Sequence, residues 1–365
     1  MQIIINFEQR IKMNRITCKS RQIYLIFFIG VLLTACTRNK KVDVSNIPIN
    51  ITIDRFDHDF DALRTKPKVQ QAALLKVKYG IFYRDFIGLI IPASNINDTA
   101  YFKTLKENIF DTQQNGRHPY LDLKHDVDSV YPGKMEKQEA ELTDAFRRIK
   151  YYYPVAKLPS KIYAYFSGFQ AQTMIGDDYF GIGLDMFLGA DSKFYPALTE
   201  NIPHYISRRF TPDNIALRVS ESIIRENLFP ENDNDKTLLA KMIYNGKIMY
   251  FMDQILPDVP DSTKIGYTSK QLQWCNDFKA NIWGYFLEQN LLYESDYQKI
   301  QMYLTEAPFT PGLGEKNDSA PKLGIWTGWQ IVRQYMDKHP EVTLKQLMSN
   351  TDEQKILNDS KYRPK

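Results

Sequence analysis

The chain has 365 residues, 43% hydrophobic and 25% charged, which is ordinary for a folded soluble protein and enough to bury a sizeable core. The formal charge of +4 comes wholly from residues 1–35, where Arg10, Lys12, Arg15, Lys19 and Arg21 oppose Glu8 alone. The remainder is neutral, which excludes an electrostatic case for nucleic acid as a partner.

Ile23–Leu33 is an apolar run behind the basic residues Arg15, Lys19 and Arg21. That order of charge and then apolar chain is the layout of a secretory signal, and the run is too short to span a bilayer. It ends in Leu33-Thr34-Ala35-Cys36, which resembles the lipobox of bacterial lipoproteins. The resemblance implies cleavage after Ala35 and lipid on the Cys36 thiol, with several acyl chains giving stable anchorage. Met13 is an alternative start, since Asn14–Cys36 alone has the length and polarity of a complete signal. Once Cys36 is modified, Cys275 has no partner in the mature chain, and its neighbours Trp274 and Phe278 suit a buried structural thiol.

We therefore expect a signal over 1–35, a lipidated tether over 36–48 and a single domain over 49–365. In that domain, the alternation of Ile51–Phe56 predicts a strand. Val69–Tyr79 predicts a helix stopped by Gly80, and Ile81–Ile91 is strongly apolar up to Pro92. Tyr101–Phe110 and Gln138–Lys150 predict amphipathic helices, the second with Leu142, Ala145, Phe146 and Ile149 on one stripe. Lys161–Phe166 and Tyr179–Leu188 are β-branched and aromatic, predicting two strands of one sheet joined by a turn at Gly176-Asp177-Asp178. Gly181 and Gly183 mark a place where a backbone or ligand comes close.

Beyond that point helices dominate. Thr211-Pro212-Asp213 is a helix start, and Thr268 with Gln271 and Ser295 with Gln298 have capping-box spacing. Cys275, Phe278, Ile282 and Phe286 form one helical stripe, and Trp326, Trp329, Val332 and Met336 another. The long loop falls at Pro308–Pro321. The expected fold is α+β: predominantly helical, with a small central sheet.

Chemistry is hard to find. No two of His58, His118, His125, His204 and His339 stand four apart, so a two-histidine zinc helix is absent. His118 and His125 with Asp122, Asp126 and Asp128 could in principle hold a metal, but Pro119 interrupts them and a solvated polar loop is the simpler reading. Asp233-Asn234-Asp235 lacks the glycine and the closing glutamate of a calcium loop. Ser167-Gly168 lacks the frame of a nucleophile elbow, and no phosphate loop appears. We assign no metal, cofactor or catalytic residue.

Four strings resemble the GldB gliding-motility lipoproteins of the Bacteroidota: Asn50–Asp57, Gly181–Gly189, Tyr267-Thr268-Ser269 and Gly324–Val332. The resemblance implies a cell-envelope component of the gliding apparatus, linked to type IX secretion, with other motility or secretion proteins of the envelope as partners. A non-catalytic scaffold or binding protein is the first expectation. The basic stretch after Cys36 lacks the acidic residues common on surface lipoproteins of that phylum, which favours the periplasmic side. A fainter similarity is to zincin-type metallopeptidases. Ser220-Glu221-Ser222-Ile223-Ile224 stands at the zinc helix and Asn245-Gly246-Lys247-Ile248 at the later ligand helix, with Glu221 alone retained, in the general-base place. It implies an inactive relative, unless Glu221 is an ordinary solvated helix residue. Two alternatives are a hydrolase built on His204 and a peptidoglycan binder using Trp326 and Trp329.

Overall fold

A computed structural model describes residues 41–65, 69–90, 105–113, 116–232, 234–314 and 318–365. The expected signal, the cleavage residues Leu33, Thr34 and Ala35 and the lipid-bearing Cys36 lie outside these.

The sheet has four short strands in the order β1-β2-β4-β3: β1 (Ile53–Arg55), β2 (Lys161–Tyr165), β3 (Thr173–Ile175) and β4 (Tyr179–Gly183). β1 and β4 lie parallel to β2, with Ile53 opposite Ile162 and Ile162 opposite Phe180, while β3 is antiparallel to β4. The turn at Gly176-Asp177-Asp178 therefore joins β3 to β4, not the two long strands as the sequence suggested. β3 went unread because Thr173-Met174-Ile175 is too short to show a period. The second predicted strand also stops early, at Gly183, where the chain tightens into a 3₁₀ turn over Leu184–Met186. Likewise β1 yields at Phe56 to a helix.

Alternation through β2 and β4 sends side chains to two separate cores. Tyr163, Tyr165 and Tyr179 meet helices α1 (Phe56–Thr65), α2 (Val69–Tyr79) and α3 (Ile81–Ile90) in a cluster made mostly of rings, including Phe56, Phe60, Phe82 and Phe86. Phe56 touches Tyr79, Phe82 and Phe86 edge-on at centroid distances of 4.8, 5.0 and 4.8 Å, the arrangement that ring quadrupoles favour. Gly181 faces this cluster, where a Cβ would stand 3.0 Å from the Tyr165 ring. Residues 105–110 continue the chain as a π-helical turn (Lys106–Phe110), so the expected regular helix there is confirmed only as a turn; its first four residues lie outside the described ones.

The other face of the sheet, through Ile162, Ala164, Phe180 and Ile182, enters the large helical core. Its helices are α4 (Pro119–Val130), α5 (Glu136–Tyr152), α6 (Ile215–Ser222, continued by a π turn Ile223–Leu228), α7 (Leu238–Ile255), α8 (Ser269–Asp277), α9 (Lys279–Glu288), α10 (Leu323–Lys338), α11 (Leu344–Ser349) and α12 (Glu353–Ser360). Leu142, Ala145, Phe146 and Ile149 are all buried, as their stripe predicts. Pro119 begins α4 rather than breaking a helix, because proline at the first position gives up only an N–H that has no partner there. The Thr268–Gln271 capping box is present, whereas the short helix Tyr297–Ile300 is capped by Asp296, one residue beyond the expected Ser295. Phe278 is exposed, since the predicted stripe crosses a break between α8 and α9; Cys275, Ile282 and Phe286 are buried.

α7 and α10 form the axis of this core. A Cβ on Gly246 would lie 2.3 Å from the Gly328 carbonyl oxygen, and one on Gly328 would lie 1.9 Å from that of Met242. Each glycine is the room that the other backbone occupies. No helix among the described residues is long and apolar enough to cross a membrane.

Candidate functional site

The N-terminal end of α10, the middle of α7, α6 with its π turn and the segments around Arg209 and Glu306 enclose a cavity of about 380 Å³. Its lining is unusually charged: Arg209, Arg218, Arg225, Lys264 and Lys322 with Glu221, Glu226 and Glu306. Met249, Ile265, Leu304 and Ile325 supply apolar wall.

Glu221 sits between two guanidiniums. Arg218 Nη1 donates to Oε2 at 2.8 Å and Arg225 Nε to Oε1 at 2.9 Å. These three residues lie three and four apart, which puts them on one helical face. Burial pushes the Glu221 carboxyl up, but Arg218 and Arg225 more than reverse this and hold it down at about 2. Arg225 also donates through Nη1 to Asn245 Oδ1 at 3.1 Å, which ties the π turn to α7. Thus the two stretches paired in the sequence, around Glu221 and Asn245, do meet in space.

Glu306 forms a second clamp. It accepts from Arg209 Nη1 at 3.0 Å and Lys322 Nζ at 2.5 Å, and the same ammonium reaches the Ile265 carbonyl at 2.6 Å. Lys322 is buried; desolvation pulls its amine down to about 8, with Glu306 opposing part of the fall. Its backbone is left-handed, at φ 53°. Arg209 lies flat on Gly266, whose absent Cβ would stand 2.0 Å from Arg209 Nη1 and whose own φ is 80°. Arg209 Nε is buried with no hydrogen-bond partner. Lys264 turns away to Asp253 at 2.9 Å, joining a separate network in which Asp253 also accepts from Trp329 Nε1 and Arg333.

The metallopeptidase pattern does not fit these residues. Ser220 and Ile224, at the two histidine places, are fully buried in the helical core rather than turned to the cavity. Gly246 is explained by the helix crossing. Glu221 is not an ordinary solvated residue either, being ion-paired on both sides.

The remaining sequence candidates are scattered. His125 is exposed, 3.4 Å from Asp126, and His118 precedes α4, 3.3 Å from Gln113. The cluster that does form is Asp57, His58 and Asp128, with potential ligand atoms within 4.8 Å of one another. There Arg55 already holds both oxygens of Asp57, at 2.9 and 2.7 Å, and Lys124 pairs with Asp128. His204 is exposed at the edge of a shallow hollow beside Ser192 and Tyr195, its ring without a hydrogen-bond partner among the described residues. Trp326 and Trp329 are 1% and 0% exposed, so they are core residues and not a sugar platform.

Sequence reading missed Arg209, Lys322 and Glu306. Their spacing carries no period, because they arrive from three separate segments. Only Glu221 was flagged, with Asn245 beside it in the second stretch.

The Gly181–Gly189 string also acquires a structural meaning. Its Asp185 is fully buried and accepts from Ser167 N at 2.7 Å, Ser167 Oγ at 2.9 Å and Phe169 N at 2.6 Å. It thereby fixes a loop in which Gly168 and Phe169 both have positive φ. Burial raises its pKa against those donors.

A family model described as gliding motility protein GldB matches residues 37–364. No curated protein and no solved structure matches.

Proposed function

We propose, from the premise that the chain belongs to the gliding motility protein GldB family, that it is a lipid-anchored envelope component that works by binding rather than by catalysis. The observation that carries this reading is the state of Glu221. A general base is effective when its pKa lies near the working pH. A carboxylate held at about 2 by two arginines is a poor proton acceptor, and no histidine among the described residues lines the cavity with it.

The lipid anchor is Cys36, the signal ends at Ala35, and the domain faces the periplasm. Its partners are other envelope proteins of the gliding apparatus and the secretion system linked to it. The lipobox-like string and the non-acidic tether support anchorage and orientation. Cells expressing Cys36→Ala are expected to lose labelled lipid from the protein and to glide poorly; full lipidation of that variant overturns the anchor assignment. Turnover assays test the non-catalytic reading: the purified protein should hydrolyse neither peptide nor ester substrates. An activity of the purified protein that Glu221→Gln abolishes without unfolding would replace binding by catalysis.

A further inference from the structure

We propose that the cavity between α6, α7 and the start of α10 binds a phosphate group carried on a compact organic substituent. The inference rests on the binding reading above.

The charge balance comes first. Lys264 is spent on Asp253, and Glu226 is exposed at the rim. What faces the cavity is then Arg209, Arg218, Arg225 and Lys322 against Glu221 and Glu306, an excess of two positive charges. Each carboxylate is gripped by two cations, so the pair orients those cations without neutralising them. Unpaired charge in a part-buried site is costly, and an anion is the natural means of relieving it.

Donor capacity points the same way. Among the described residues nothing accepts from Nη2 of Arg218 or of Arg209. These two side-on donors remain next to the clamps, whereas Arg209 Nε is sealed from solvent. A planar carboxylate satisfies one guanidinium edge. A phosphate monoester offers three oxygens in different directions and two charges, matching several cations that approach from separate elements.

The backbone supplies an independent sign. Lys322 adopts a left-handed conformation that disfavours non-glycine residues, and its buried amine lies at this cavity. Finally, the volume exceeds that of a bare phosphate, and Met249, Ile265, Leu304 and Ile325 offer an apolar wall to whatever the phosphate is attached to.

Two sources share this chemistry, a soluble phosphate ester and a phospholipid headgroup. The full chain, purified in non-ionic detergent, would be titrated by calorimetry with glycerol 3-phosphate and, separately, with monomeric short-chain phosphatidic acid. Binding of either is expected, with Arg218→Gln weakening it about tenfold, the cost of one charge-assisted contact. Arg218→Lys should recover part of the loss, while the remote Lys193→Gln changes nothing. Arg218 is the chosen site because it is the more exposed of Glu221's two arginine partners, so its variant should stay folded; near-ultraviolet circular dichroism checks this. Tighter binding of phosphatidic acid than of glycerol 3-phosphate assigns the headgroup, and equal binding assigns a soluble ester. Absence of heat with both at millimolar concentration overturns the proposal, as does binding that Arg218→Gln leaves intact. Neither of those failures touches the non-catalytic reading, whose test is turnover.

Discussion

The same two helices build a backbone-to-backbone contact and, beside it, a strongly charged cavity. At the crossing, Gly246 and Gly328 remove side chains so that backbones meet. One residue earlier on α7, Asn245 belongs to the cavity, and the start of α10 adds Lys322 and Ile325. The contrast separates two ways of encoding structure. The crossing is held by dispersion and exclusion of water, which any loss of fit weakens. The cavity is held by ion pairs that are individually replaceable and retain an excess of charge.

The largest expected effect comes from the crossing. Trp329→Ala removes a fully buried ring, its hydrogen bond to Asp253 and the stacking of Arg333 at 3.9 Å. A loss of about 4 kcal/mol is expected in urea unfolding, as for other buried aromatic truncations. If Trp329→Ala kept full stability, the core assignment would fail and a surface role would have to be reconsidered. Gly328→Ala comes next. Its Cβ collides with backbone, which cannot rotate aside as a side chain can, so a cost of about 3 kcal/mol is expected. An unchanged midpoint would mean that α7 and α10 can slide apart without penalty.

The cavity, unlike the crossing, should respond to pH. Glu221 is held at about 2, below its ordinary 4.5, so its contribution is fully present above 4.5 and is lost as the pH falls through the folded value. Glu221→Gln is therefore expected to be less stable than the parent by about 3 kcal/mol near neutrality, a figure set by the size of such shifts. The gap between the two proteins should close as the pH drops from 4.5 toward 2. A gap that stays constant with pH would show that the carboxylate's shape, and not its charge, is what matters.

How much of this could be read in the chain depends on whether a residue acts with its sequence neighbours. Leu142, Ala145, Phe146 and Ile149 declare themselves by period, and Trp326, Trp329, Val332 and Met336 do the same. Thr268 with Gln271 is legible because a capping box is local chemistry. The parallel pairing of β2 with β4 is not local, and the intervening β3 hid it. In the cavity, Arg218, Glu221 and Arg225 share a helical face and could have been grouped from their spacing. Arg209, Glu306 and Lys322 could not, because only the tertiary fold brings them together. Gly246 misled for a different reason: a glycine needed for helix contact looks the same in sequence as one needed beside a metal ligand.

Lys322 offers the finest test, since it joins the cavity to the helix that forms the crossing. Its amine, ordinarily near 10.5, stands at about 8 in the folded chain because it is desolvated. Between those values the unfolded chain binds more protons than the folded one, so stability rises with pH across that window. Below about 8 the folded protein carries the full penalty of a buried ammonium, on the order of 3 kcal/mol. Lys322→Met should remove that penalty and flatten the rise measured by urea unfolding between neutral pH and the onset of tyrosine ionisation. An oxyanion in the cavity acts on the same equilibrium from the other side, because it favours the protonated amine. Phosphate-ester affinity should then weaken as the pH climbs through 8, and the parent's own pH dependence should shrink when the cavity is saturated. If the slope with pH survives in Lys322→Met, another group carries it, and the link between this lysine and the anion is broken.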